Sequence, residues 1–183
     1  MKIGVISDSH GSLTAWQQAI EVLADVDFLL HAGDILYHGA RNPLPEGYNT
    51  EGLVDALNDY EGDLLAIKGN VDALVDNWVL PYPLSEYSVV LNGDKKIVIY
   101  HGYQHDSEKE RVEFAKKFGA DILIFGHTHL PLIKEEAGVI LLNPGSIALP
   151  KQEPAQASLA VIEDDKIEIL TLDGKEIIVD FEF

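Results

Sequence analysis

Residues 122–131 read ILIFGHTHLP. Four apolar residues run into Gly126, and His127 and His129 follow with only Thr128 between them, in a chain with seven histidines in all. Residues i and i+2 of an extended segment point to the same face, so the two imidazoles can aim at one object. A metal ion or a phosphate group fits that geometry, and the pair alone does not choose between them. Any further ligands must come from elsewhere in the sequence.

Composition narrows the field. The chain has 183 residues, enough for one domain spanning 1–183 with a substantial core, and 46% apolar with 24% charged residues is ordinary for a globular protein. Cysteine is absent, which excludes disulfides and thiolate-bound zinc and leaves nitrogen and oxygen as metal donors. "MKIGVISDSHG" turns polar too soon for a signal peptide or a membrane span, so a cytoplasmic protein with no membrane partner is expected. Its 31 acidic residues face 13 basic ones, a net charge of −18. Long nucleic acids bind mainly through Lys and Arg on phosphates, and no basic patch is present to do so. A phosphate-bearing substrate must therefore be small and drawn by something positive inside the site. Bound divalent cations would meet that need.

The period of the apolar residues switches repeatedly along the chain. "KIGVIS" reads as a buried strand, followed from Ser12 by a helix with Leu13, Trp16, Ile20 and Leu23 at helical spacing. "DFLLHAGD" is a second strand. A long loop carries Pro43, Pro45 and Gly47, and a second helix starts near Thr50 with Leu53, Val54 and Leu57 on one face. "DLLAIKGN" is a third strand, and "EYSVVLNGDKKIVIYHG" a hairpin with Asn92-Gly93 as its turn. Ser107 and Glu110 form a capping box for a helix that runs to Phe118 and is closed by Gly119. After "DILIFG" come "LIKEE", "VILLN", "SLAVIED", "KIEILT" and "EIIVDFE", with turns at Ala137-Gly138, Asp164-Asp165 and Asp173-Gly174. Alternating strands and helices followed by a β-meander point to an α/β chain with two sheets packed face to face and helices outside.

The residues able to bind metal gather at strand ends. Asp8 and His10 follow the first strand, Asp34 the second and Asn70 the third; His101 ends the fifth, and His127 and His129 follow the sixth. That edge is where ligands bind in open α/β sheets, and the glycines beside most of these residues let the backbone turn sharply and approach closely. Two carboxylates, one amide oxygen and four imidazoles are too many for one metal that must leave room for chemistry. They suit two divalent ions ~3.5–4 Å apart that share one carboxylate. This donor mixture favours manganese, iron, zinc or nickel over magnesium or calcium.

Taken in order, "DSHG", "GD", "GN", "HG" and "GHTH" resemble the five blocks of the calcineurin-like metallophosphoesterases, from Asp8 to His129. "ILYHGARNPLPEGYNTEGLVDALNDY" and "LLNPGSIALPK" extend the likeness to the YfcE-type phosphodiesterases within that superfamily. The resemblance implies a four-layer αββα sandwich of two mixed sheets with a binuclear centre. It implies Asp8, His10, Asp34 and His129 around the first metal, and Asp34, Asn70, His101 and His127 around the second, with Asp34 as the bridge. One block departs. Many phosphomonoesterases of the superfamily have histidine directly after the asparagine, whereas "GNVD" has Val71, which cannot transfer a proton. The YfcE group departs at the same place.

The expectation is a metal-dependent phosphodiesterase acting on a small phosphodiester, with manganese the expected metal and zinc, iron or nickel as alternatives. A hydroxide held between two metal ions attacks phosphorus in line with the leaving group, and the ions orient the phosphate and absorb developing charge. Asp34, Asn70 and Asp72 are the candidate catalytic residues. Asp72 is expected to orient a ligand histidine or to cap the segment beginning at Ala73. His38 and Arg41, in the loop after Asp34, are candidate substrate-binding cations, and pinning the loop to acidic neighbours is the other reading of Arg41. His31 is expected to be a hydrogen-bonded core residue and His105 a solvated loop residue. The alternatives are a phosphomonoesterase of the same fold and a non-catalytic scaffold module, since the retromer complex contains a subunit of similar fold that works by protein binding. Seven competent ligand positions weigh against the scaffold. Self-association into a homo-oligomer is left open by the sequence.

Overall fold

The computed structural model describes residues Met1–Phe183. The chain runs β1 (Ile3–Ile6), α1 (Leu13–Val22), β2 (Phe28–His31), α2 (Thr50–Asn58), β3 (Leu64–Ala66), β4 (Tyr87–Asn92), β5 (Lys95–Tyr100) and α3 (Glu108–Phe118). Then follow β6 (Ile122–Ile124), β7 (Pro131–Glu136), β8 (Val139–Pro144), β9 (Ser158–Glu163), β10 (Lys166–Thr171) and β11 (Ile177–Glu182). A six-stranded sheet has the order β11-β10-β9-β1-β2-β3, and a five-stranded sheet the order β4-β5-β6-β8-β7. Both are mixed.

Three apolar layers explain why the strands read as unbroken hydrophobic runs. Ile97, Ile99, Ile122 and Ile124 face Ile3, Val5, Leu30 and Ile162 between the two sheets. Their neighbours Val98, Tyr100, Leu123 and Phe125 point the other way, onto Val112 and Ala115 of α3. On the far side, Ile6, Leu29 and Ala66 pack on Trp16 and Ala19 of α1 and on Leu53 and Leu57 of α2. Alternate residues thus serve different cores, and with both faces apolar the period of two disappears from the sequence. The result is the αββα sandwich.

Local signals set the element ends. Ser12 Oγ accepts from the Ala15 N–H at 3.1 Å, and Asn49 Oδ1 from the Gly52 N–H at 3.0 Å, so both helices start on a side-chain cap. Ser107 and Glu110 form the expected box, and Gly119 closes α3 in left-handed conformation, φ 61°.

Two expectations need correction. The β4–β5 loop is Gly93-Asp94, not Asn92-Gly93: Asn92 pairs with Lys95, and only Gly93 has positive φ, 62°. Glycine at the first central position is what a type II′ turn requires. The final strands are also not one meander. β7 and β8 close the five-stranded sheet, and the chain then crosses to the other sheet for β9, β10 and β11. β8 runs parallel to β6, so its C-terminal end lies at the edge that carries the candidate ligands.

Candidate metal centre

Seven non-glycine residues have positive φ, and five of them are candidate ligands: Asp8 (55°), His10 (46°), Asp34 (56°), His127 (67°) and His129 (58°). Such backbone is uncommon outside glycine, although Asp and His tolerate it better than most. The loops are therefore bent to present these side chains. Asp8, His10 and His129 form one donor set and Asp34, His101 and His127 another, with the donor atoms of each set within 4.8 Å of one another. Asp34 Oδ2 lies 3.2 Å from His101 Nε2 and 3.8 Å from His10 Nε2, so one oxygen faces both sets. Asp8 Oδ1 lies 3.2 Å from His129 Nε2 and 3.6 Å from His10 Nε2. The Asn70 amide oxygen is 3.1 Å from His101 Nε2.

Three of the imidazoles are fixed from behind. Nδ1–H of His10 donates to the Tyr37 carbonyl at 2.8 Å, that of His101 to Ala32 at 2.7 Å, and that of His129 to Leu149. A carbonyl only accepts, so the hydrogen of each neutral ring sits on Nδ1 and the Nε2 lone pair faces the centre. The Nε2 atoms of His10 and His129 then stand 3.2 Å apart. Asp8 Oδ1 is buried without a hydrogen-bond partner. Buried lone pairs crowded in this way require positive charge among them. With protons alone, burial opposes a charge on His101, but the Asp34 and Asp8 carboxylates outweigh it and push its pKa up to about 9. Burial would raise the Asp8 carboxyl, yet His10 and His129 hold it well below the usual range. Oxygen and imidazole donors, fixed tautomers and an unpaired carboxylate oxygen together fit divalent metal.

Residues 1–166 match the family described as the calcineurin-like phosphoesterase superfamily domain. The chain belongs to that superfamily. It is 33% identical over 181 residues to phosphodiesterase YfcE of Escherichia coli (strain K12), covering 97% of this chain and 96% of the relative. Identity to phosphodiesterase MJ0936 of Methanocaldococcus jannaschii is 30% over 153 residues, with 79% and 83% covered. The solved structure of YfcE, a phosphoesterase from E. coli, matches with a TM-score of 0.87 at 31% identity, over 100% of this chain and 99% of that one.

In this member of the superfamily the loops carrying the candidate ligands are tied to one another, and Asp72 does the tying. It forms no hydrogen bond to a histidine, and the Ala73 N–H goes to Asp76 at 2.7 Å, so neither expected role is seen. Its carboxylate instead accepts the backbone N–H groups of Asp34 (2.9 Å), Ile35 (2.7 Å) and Gly69 (2.7 Å), clamping the loop after β2 to the loop after β3. Burial pushes this carboxyl up to about 6, although the Gly69 and Ile35 N–H groups pull the other way. His31 is the expected core residue: Nδ1 accepts from the Gly33 N–H at 3.2 Å, and Nε2 is 2.9 Å from Ser9 Oγ. Burial lowers its pKa to about 4, so it is neutral. His105 is not a solvated loop residue but half-buried against the rings of Tyr100 and Phe114.

The candidate ligands open into a cleft of roughly 140 Å³. Asp34, Asn70, His127 and His129 line it, with Val71, the loop from Gly39 to Asn42, and Lys151. Arg41 is on this wall, exposed and in no ion pair, so it does not pin the loop to acidic neighbours. His38, expected at the substrate, instead packs edge-on against Tyr37 (4.7 Å) and Tyr48 (5.4 Å) and does not line the cleft. The 141–151 stretch, quoted above only for its likeness, also brings Lys151 to the cleft, a role the sequence reading did not assign. There Ser146 Oγ donates to the Asp8 carbonyl at 2.8 Å, and Asn143 donates to the Gly126 carbonyl at 2.8 Å. The signal was Asn-Pro-Gly-Ser after an apolar strand, a polar cluster at a strand end like those that supply the ligands.

Proposed function

We propose that this chain is a metal-dependent phosphodiesterase that hydrolyses small phosphodiesters at a binuclear centre of Asp8, His10, Asp34, Asn70, His101, His127 and His129. One observation carries the reading: Asp34 Oδ2 faces both donor sets while Asp8 Oδ1 is buried without a partner. Two divalent ions, when bound, supply Lewis acidity toward the phosphate and lower the pKa of water at the site. Manganese is the metal proposed, and a donor set of imidazole, carboxylate and amide accommodates it as it does iron, zinc or nickel. Asp34 would serve as the shared ligand. The carbonyl bonds of His10, His101 and His129 keep each Nε2 directed inward, and Asp72 holds the Asp34 and Asn70 loops in register.

Hydroxide as nucleophile leaves every histidine of the centre free to be a ligand. Val71 lines the cleft and offers no proton to a leaving group, which supports a diesterase over a monoesterase, as do the phosphodiesterase names of YfcE and MJ0936. The test is to strip the protein with chelator, restore each metal, and compare rates on bis(p-nitrophenyl) phosphate and p-nitrophenyl phosphate. Faster diester hydrolysis with two metals per chain supports the reading. A faster monoester rate would favour the phosphomonoesterase, and neither metal nor hydrolysis would favour a scaffold.

A further inference from the structure

The cationic side chains are few enough to account for one by one. Of 13 lysines and arginines, six form ion pairs. Two lie over aromatic rings, and three sit at the C-terminal end of α3, where the helix carbonyls favour positive charge. Arg41 and Lys151 are left. Both line the cleft beside Asp34, His127 and His129. In a chain of net charge −18, two unpaired cations at one opening are a matter of placement, because acidic partners are abundant everywhere else.

The support of Lys151 is firm although its side chain is exposed. Its backbone N–H donates to the His129 carbonyl at 3.2 Å, the Leu149 carbonyl accepts Nδ1–H of His129, and Ser146 Oγ holds the Asp8 carbonyl. The loop is thus fastened to both ligand loops of one donor set. Arg41 enters from a different loop, the one that follows Asp34. A simple diester brings a single negative charge, for which the centre itself is built. Two more cations at the opening call for a second anionic group, and arginine is suited to hold a carboxylate or phosphate with two parallel hydrogen bonds.

We propose that Arg41 and Lys151 form an anion subsite, and that the substrate is a small phosphodiester whose second ester arm carries a further phosphate or carboxylate. This rests on the phosphodiesterase reading above. The experiment uses metal-loaded protein and three diesters that share a p-nitrophenolate leaving group, their other arm being ethyl, 2-carboxyethyl or 2-phosphonooxyethyl. The anionic arms should raise kcat/KM by about tenfold, the lower end for hydrogen bonds to charged groups, and added salt should shrink that preference because the subsite is exposed. In the Arg41→Gln, Lys151→Gln double variant the ratio of anionic-arm to ethyl kcat/KM should fall toward one. Binding gives a readout apart from turnover: matched phosphonate analogues with an anionic arm should raise the melting temperature more than the ethyl analogue in the wild type, and equally in the double variant. Equal kcat/KM for all three diesters in the wild type, or an unchanged preference in the double variant, would overturn the subsite and leave the phosphodiesterase reading standing. Failure to hydrolyse any of them would overturn both.

Discussion

Gly69→Ala adds one methyl group where two ligand loops cross. Gly69 has no positive φ, so alanine suits its backbone and the only obstacle is space. The new Cβ would lie 2.2 Å from the Asp34 backbone nitrogen and 2.0 Å from Asp34 Oδ1. Ordinary contact begins at 3.4 Å, so one loop must retreat by roughly 1.2 Å, a displacement of the kind overpacking forces. That retreat pulls on the Asp72 carboxylate, which holds Gly69 at 2.7 Å and Asp34 at 2.9 Å. Overpacking costs ~1–3 kcal/mol and a loosened hydrogen bond about 1 kcal/mol more. For a chain of this length the melting temperature should fall by about 5–15 °C. Activity should suffer more, because misplacement by ~1 Å can cost ~10²-fold and the displaced residue is the proposed shared ligand. Melting curves, metal analysis and turnover of bis(p-nitrophenyl) phosphate measure the three effects. Gly138→Ala is the control: nothing lies within 4 Å of its Cβ but its φ is +80°, so stability should drop with activity intact. Full metal content and full turnover in Gly69→Ala would refute the idea that loop packing places Asp34.

Asp34→Ala should lose nearly all activity and bind less metal while keeping its fold, because the three apolar layers do not involve it; unchanged occupancy by metal analysis would show the ligand assignment to be wrong. Activity should fall steeply below about pH 6 as protons compete for the imidazoles, and excess metal should partly restore it; acid loss indifferent to metal would indicate unfolding. His101 is raised to about 9 in metal-free protein, so its protonated form stabilises that fold fully below ~6.5 and the contribution is lost as pH rises through about 9. Stripped protein should therefore melt lower at pH 9 than at pH 7, and a flat or opposite trend in calorimetry would count against the His101–Asp34 pairing. Val71→His should speed diesters with alkoxide leaving groups more than aryl diesters, since a general acid contributes typically ~10²–10⁴-fold; a slope of log rate against leaving-group pKa no shallower than wild type would defeat the missing-acid explanation.

The candidate ligands stand out in the sequence because each is a polar side chain where an apolar run stops, and parallel strands bring such stops to one edge. The same rule would have found the Asn143–Lys151 loop had β8 been recognised as parallel to β6. Reading it as part of a meander sent its end to the wrong edge, and Lys151 was lost with it. Asp72 was noticed but misread, since its three partners are backbone N–H groups that carry no sequence signature. His38 makes a related point: proximity to Asp34 along the chain says nothing about which way a loop side chain turns, and here its ring lies against Tyr37 and Tyr48.

Because Asp8, His10, Asp34, His127 and His129 all hold left-handed backbone, folding and metal capture draw on the same loops in opposite senses. Each such residue costs about 1 kcal/mol against a right-handed one, and a domain has only about 5–15 kcal/mol of net stability to draw on. Glycine at any of the five would relieve that local cost. In this chain all five positions carry that local cost together, so the loops that would hold the metals are also where its backbone is least relaxed.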